Sequence, residues 1–181
     1  LDVATGTGDL ALAVAGLPPK PLVVGLDLVP AMLGPAQKKQ RHSGARLALL
    51  AGDGTRLPLA ASTFDAVTIA FGIRNVTHLD RALSEARRVL RPGGRFLCLE
   101  FSRVSLPFVD RIYDRYAFSV LPTLGRMVTG RGDAYRYLVE SIRRFPPQEE
   151  FAGMIAKAGF DRVRYRNLSA GVAALHGAWR L

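Results

Sequence analysis

Cysteine is nearly absent from this chain. Its single Cys98, among 181 residues, excludes a disulfide framework and a thiolate metal cluster. Its place in the apolar run "RFLCLEF" reads as buried filler rather than as a reactive thiol, and no metal site is expected. Long hydrophobic runs are missing too. Nothing approaches the ~18 to 20 uninterrupted apolar residues of a membrane-spanning helix, and no basic-then-apolar leader opens the chain. These absences point to a soluble, cytoplasmic protein. Repeats and low-complexity segments are also lacking. Acidic residues are in deficit, 15 Asp and Glu against 25 Lys and Arg, and the net charge of +10 favours contact with phosphates of nucleic acid or of anionic lipid. A well-solvated basic surface would account for the same excess.

What is present suits one globular domain over residues 1–181, since 49% hydrophobic residues supply a substantial core. Short apolar runs ("LDVAT", "LVVGLDL", "RLALLAGD", "DAVTIAFG", "RFLCLEF") alternate with helical patterns. Continuous apolar strands separated by helices predict an α/β fold, a doubly wound and mostly parallel seven-stranded sheet covered on both faces. The last two runs, "DRVRYRNL" and "GVAALHGAWRL", predict an antiparallel hairpin around Ala170 and Gly171. One helix is legible in detail: Leu79, Ala82, Leu83, Ala86, Val89 and Leu90 form a single apolar stripe, which Pro92 and the pair Gly93-Gly94 should stop. From Phe108 to Leu121 an aromatic-rich helical face predicts an insertion over the sheet, a lid at about 103–145. A chain that begins on a core strand leads us to expect a preceding segment.

The run "DVATGTGDLA" contains Gly6-x-Gly8-x-x-Ala11, which satisfies the loose dinucleotide fingerprint. Glycines there let backbone N–H groups approach an anion at a helix N-terminus, a need shared by NAD phosphates and by the carboxylate of S-adenosylmethionine. Asp2 favours the second, because an acid just before the loop suits a cationic sulfonium and ammonium. Asp27, ending the second strand, could accept ribose hydroxyl protons or serve as a helix cap before Pro30. Asp53 could meet the adenine amine or form a turn before Gly54. Thr7 could face the ligand or cap the helix that follows. An adenosyl pocket at the carboxyl edge of the sheet is the reading that uses all of them.

Four phrases narrow the reading: "RVLRPGGRFLCLEFS", "FGIRNV", "YRYLVESIRRFP" and "NLSAGVAALHGAW". With them the chain resembles, from end to end, the ubiquinone/menaquinone biosynthesis C-methyltransferase family. The resemblance implies transfer of a methyl group from S-adenosyl-L-methionine, leaving S-adenosyl-L-homocysteine, to a ring carbon of a prenylated quinol. That quinol would be demethylmenaquinol or its benzoquinol counterpart. It places Gly6, Thr7, Gly8, Asp27, Asp53 and Gly54 at the cofactor, and Ala70 where some members use serine. Arg74 falls on an arginine proposed to act in catalysis. Arg91 stands where lysine is frequent and Thr5 where glycine is. The family's N-terminal helical segment is not among these residues.

Chemistry agrees with that assignment. A ring carbon becomes a competent nucleophile when the adjacent hydroxyl loses its proton, so the site must stabilise a phenolate and hold the carbon in line. A guanidinium stays charged at any working pH, and Arg74 follows the fourth strand, at the edge expected for the cofactor. Its alternative is a structural partnership with Asp65 or Glu100. Asp133 and His78 are candidate bases, with turn and helix-start roles as alternatives. Arg103, Arg111, Arg115, Arg126 and Arg131, in and beside the aromatic segment, predict peripheral contact with anionic lipid at the inner face of the cell membrane. A homodimer is left open. An NAD-dependent oxidoreductase on the same glycine loop and an RNA methyltransferase are the competing readings. Against the latter, no "NPPY"-like tetrapeptide follows the fourth strand and Cys98 lies mid-strand, so no nucleic-acid partner is expected.

Overall fold

The computed structural model describes residues 1–102 and 132–181, the side chains of 132–135 excepted. Seven strands form one sheet: β1 (Asp2–Val3), β2 (Val23–Asp27), β3 (Leu47–Ala51), β4 (Phe64–Ala70), β5 (Leu90–Phe101), β6 (Asp161–Leu168) and β7 (Ala173–Arg180). Their spatial order is β3-β2-β1-β4-β5-β7-β6. Neighbours from β3 to β5 pair in parallel, and β7 runs antiparallel to both β5 and β6. The expected mostly parallel sheet with a C-terminal hairpin is therefore observed, its turn built on Ser169–Gly171.

Helices connect the strands. α1 (Asp9–Gly16), α2 (Pro30–Ser43) and α3 (Leu79–Val89) follow β1, β2 and β4; α4 (Gly132–Arg144) and α5 (Gln148–Lys157) precede the hairpin. Strand alternation decides which side chains each helix meets. Ala11 and Ala15 of α1 pack with Val23 and Leu47. On the opposite face, Leu83, Ala86 and Val89 of α3 and Phe151 and Ile155 of α5 join Leu26, Val67, Ile69, Phe96 and Cys98 in the larger core. The predicted stripe of α3 is buried at Ala82, Leu83, Ala86 and Val89. Cys98 is wholly buried, and burial pushes its thiol well above the ordinary value.

One feature departs from the sequence expectation. The run Arg91–Gly94 does more than stop a helix. α3 ends at Val89, and the run is a bulge within β5: Phe64 pairs with Leu90, while Ala66 already pairs with Arg95. Gly93 has φ +81°, and a Cβ on Gly94 would lie 2.8 Å from the Arg91 carbonyl oxygen, so this bulge requires glycine. The predicted lid falls partly outside the description: 103–131 lie beyond the described residues, and 132–144 form α4. Among the described residues no helix is long and apolar enough to cross a membrane.

His176 of β7 is 1% exposed and stands edge-on to Phe151 at 4.9 Å. Its Nε2 lies 3.0 Å from the Gln148 carbonyl oxygen, which only accepts, so Nε2 carries the proton and Nδ1 is a buried acceptor without a partner. Burial holds the imidazole below its ordinary value of 6.5. The fold thus binds this proton less readily than the unfolded chain does. The stability it contributes is fully present above about pH 6.5 and declines as the pH falls below it. Melting temperatures measured between pH 7.5 and 5 should fall more steeply for the parent than for His176→Gln; parallel curves would contradict this role.

Candidate active site

The carboxyl ends of β1, β2, β3 and β4 carry every residue singled out in the sequence as a cofactor contact. The turn after β1 runs through Ala4, Gly6 and Gly8, all at positive φ (+55°, +55° and +79°). A Cβ on Gly8 would lie 2.9 Å from the Cβ of Ala36 on α2. Gly8 therefore lets α1 start against α2, and both glycines keep the loop backbone bare at a helix N-terminus, as a ligand carrying a carboxylate requires.

Carboxylates hold this loop. Asp27, 8% exposed, accepts the Gly6 N–H at 2.7 Å on Oδ2 and the Val29 N–H at 2.9 Å on Oδ1. The helix-cap alternative is thus not what is seen, because Val29 occupies the cap position of α2. Asp27 instead ties the glycine loop to the end of β2. Asp2, 3% exposed, accepts hydroxyl protons from Thr5 at 2.6 Å and from Thr68 at 2.6 Å. Burial raises its pKa and the two hydroxyls oppose the rise. Asp2 is accordingly an anchor of the loop through Thr5. Thr7 donates to Asp9 at 2.7 Å, and Lys39 of α2 closes the group through a 2.7 Å ion pair with Asp9. Thr7 does not cap α1, whose cap position is Gly8.

Asp53 shows the turn geometry weighed as its alternative. Its Oδ1 accepts the Thr55 N–H at 2.8 Å and its carbonyl the Arg56 N–H at 3.0 Å, leaving the carboxylate exposed beyond β3. The Thr55 donors hold its pKa below the ordinary carboxylate range. A Cβ on Gly54 would approach Val3 Cγ1 to 3.1 Å. The loop behind this turn is secured from α3. Glu85 accepts the Leu57 N–H at 2.7 Å, and Arg88 donates to the carbonyls of Leu57 (3.0 Å) and Leu59 (2.9 Å). Nothing in the spacing of α3 distinguished Glu85 and Arg88 from its other outward-facing charges.

Beyond Ala70, which ends β4, the chain turns through Phe71 (φ +53°) and Gly72 into a 3₁₀ turn, Ile73–Asn75. A Cβ on Gly72 would collide with the Cβ of Ala4. The β4 turn therefore lies directly on the glycine loop. Arg74 projects from it with a side chain 11% exposed. Its Nη1 pairs with Glu100 Oε1 at 2.8 Å and also donates to the Phe71 carbonyl. Its backbone N–H donates to Glu100 Oε2 at 3.2 Å, and its guanidinium lies 5.3 Å from the Phe101 ring centre. Of the two partners expected for Arg74, Glu100 is the one observed; Asp65 pairs with Arg91 at 2.8 Å. The Arg74 Nε is buried and has no hydrogen-bond partner, a state that costs about 1–3 kcal/mol until an acceptor reaches it.

Of the candidate bases, His78 sits exposed at the start of α3, near enough to Asp53 for its charge to be felt there. Asp133 falls in the first turn of α4 and its side chain lies outside the described residues. So do Arg103, Arg111, Arg115, Arg126 and Arg131. Next to Arg74, a cavity of about 400 Å³ opens between the 3₁₀ turn and α4, with Arg74, Asn75, Tyr137, Ser141 and Phe145 in its wall. Tyr137 spans it, its hydroxyl donating to Asn75 Oδ1 at 2.9 Å.

A family model described as the ubiE/COQ5 methyltransferase family matches residues 1–180. The chain belongs to that family. Among curated relatives, the ubiquinone/menaquinone biosynthesis C-methyltransferase UbiE of Brucella canis is 52% identical over the whole of this chain, which spans 68% of the relative. The same-named protein of Brucella anthropi is also 52% identical, with 70% of it covered. Solved structures share the fold. A SAM-dependent methyltransferase from Thermotoga maritima, described as a possible histamine N-methyltransferase, superposes with TM-score 0.70 at 22% identity, covering 99% of this chain and 80% of that one. The [4+2]-cyclase SpnF reaches 0.74 at 18%, covering 99% and 73%. At such identities they show the fold alone. Together with the family, that fold makes the protein a class I, S-adenosylmethionine-dependent methyltransferase, which displaces the oxidoreductase reading of the glycine loop.

The close approach of the two loops is testable. Gly72→Ala should lower the urea midpoint, with a loss of roughly 1–3 kcal/mol from the forced clash. A midpoint equal to the parent's would mean that the turn moves aside freely.

Proposed function

We propose that this methyltransferase acts on a ring carbon of a prenylated quinol, in isoprenoid quinone biosynthesis. The observation that carries the reading is Arg74: a largely buried guanidinium at the carboxyl edge of the sheet, with one nitrogen spent on Glu100 and a buried Nε unspent. The names of the 52% identical relatives support the substrate class.

S-adenosylmethionine, when bound, supplies an electrophilic methyl group on a sulfonium. The residues present suit such a ligand, because positive-φ glycines keep the loop at the start of α1 open to a carboxylate and acids stand at the neighbouring strand ends. Gly6, Thr7 and Gly8 would border its methionyl part. Asp27 would receive ribose hydroxyls, Asp53 and Gly54 would border the adenine, and Ala70 would lie beside them at the end of β4. Arg74 would offer Nε–H to the quinol oxygen, favouring the phenolate and with it electron density at the neighbouring carbon. A guanidinium does not accept the proton, so its part is electrostatic and positional.

With methyl-labelled S-adenosylmethionine and a short-chain demethylmenaquinol, the purified protein should yield a product in which one ring hydrogen is replaced by the labelled methyl group. Asp27→Ala should raise the S-adenosylmethionine requirement by roughly 10- to 100-fold, the equivalent of about 1.5–3 kcal/mol. Absence of ring methylation, or an unchanged requirement, would count against the respective assignment. The basic excess of the chain further supports peripheral association with membranes. Flotation with anionic liposomes should show binding that 0.5 M salt removes, about the concentration at which surface charge is screened within a few ångströms; no salt-sensitive binding would reject it.

A further inference from the structure

We infer that Glu100 is the positioning residue of the site, acting through Arg74. The inference rests on the reading of Arg74 above. Glu100, the residue before Phe101 at the end of β5, is 1% exposed, yet each of its oxygens accepts from Arg74 of the β4 turn. Oε1 accepts Arg74 Nη1 at 2.8 Å and the Phe101 N–H at 2.8 Å, and Oε2 accepts the Arg74 backbone N–H at 3.2 Å. One carboxylate thus grips both the backbone and the side-chain tip of the same arginine. An arginine held at both ends has lost its rotamer freedom before any ligand arrives. Since Nη1 is committed to Glu100 and to the Phe71 carbonyl, the Nε side of the planar guanidinium is the side left over. Its orphaned buried N–H is what a neutralising ion pair alone would not require. The Phe101 ring at 5.3 Å borders the same guanidinium.

Preorganised donors act strongly because no reorganisation is needed at reaction, and a displacement of about 1 Å can cost on the order of 100-fold in rate. Three variants separate positioning from mere charge neutralisation. Glu100→Gln keeps the shape and removes the charge. Glu100→Asp keeps the charge and withdraws it by one methylene. Arg74→Ala removes the group acted upon. Melting temperature and S-adenosylmethionine affinity are measured alongside turnover, so that each rate refers to folded, cofactor-competent protein. Binding of 4-methoxy-1-naphthol, a redox-stable phenol, reads the oxygen site without catalysis.

Glu100→Asp should melt near the parent and bind S-adenosylmethionine normally, while kcat falls on the order of 10-fold and naphthol affinity falls with it. Glu100→Gln should lose at least as much. In the Arg74→Ala background either change at Glu100 should alter kcat by less than about twofold, because both act on one group. A folded Glu100→Asp with parental kcat and naphthol affinity would overturn the inference. So would full additivity with a slow Arg74→Ala, which would leave the Arg74 reading standing. Parental turnover in Arg74→Ala would remove that reading, and the role of Glu100 with it.

Discussion

A carboxylate that is 1% exposed has to be paired, and the pairing of Glu100 sets the geometry around it. Desolvation pushes its pKa up; the Arg74 guanidinium and the N–H groups of Phe101 and Arg74 pull it back. Those three donors come from the ends of two neighbouring strands, so satisfying one buried charge joins the turn after β4 to the end of β5. That turn in turn lies on the glycine loop, where Gly72 has no room for a side chain beside Ala4. Glu100, the β4 turn and the loop after β1 therefore form one continuous piece of packing.

The same device recurs along the sheet edge. Asp27 accepts the Gly6 N–H across from β2, Asp2 holds Thr5 from below, and Glu85 holds Leu57 from α3. Loops at the carboxyl edge of a parallel sheet have no ladder of their own to satisfy their backbone groups. Acids at strand ends do this here, and each satisfied N–H fixes a loop that a ligand would otherwise have to order at its own entropic cost. These acids are consequently structural, each holding a loop or turn at the edge where the candidate site lies. The alternatives weighed for Asp53 and Arg74 are not exclusive, since each side chain makes a local bond and keeps further polar capacity.

Periodicity carried most of the fold. The apolar runs marked β1 to β5, the last two runs marked the hairpin, and the stripe of α3 was buried nearly as written. Periodicity carries no information on where an irregular segment goes. Arg91–Gly94 therefore read as a stop, whereas it is a bulge inside β5 that only the pairing register reveals. The site was legible as a list and not as a network. Gly6, Gly8, Asp27, Asp53 and Arg74 could be picked out from residue type and place in the strand pattern. The grip of Glu100 on Arg74, or of Glu85 on Leu57, spans 26 or 28 positions and depends on which face of a strand or helix meets which loop. Glu100 was weighed as one of two structural partners for Arg74, and the pair is observed. Its importance rests on its burial and its bond count, and both are properties of the folded chain.

The fold is shared with proteins described as a possible histamine N-methyltransferase and as a [4+2]-cyclase. With the fold in common, differences in activity have to come from side chains placed on it, and here those at the ends of β4 and β5 stand out. In this chain both of those ends converge on one ion pair. A substitution at either strand end that moved Glu100 or Arg74 would shift the other. The glycine loop is held by Asp27 and by Asp2 through separate bonds, and the packing of Gly72 on Ala4 is where it meets the turn after β4.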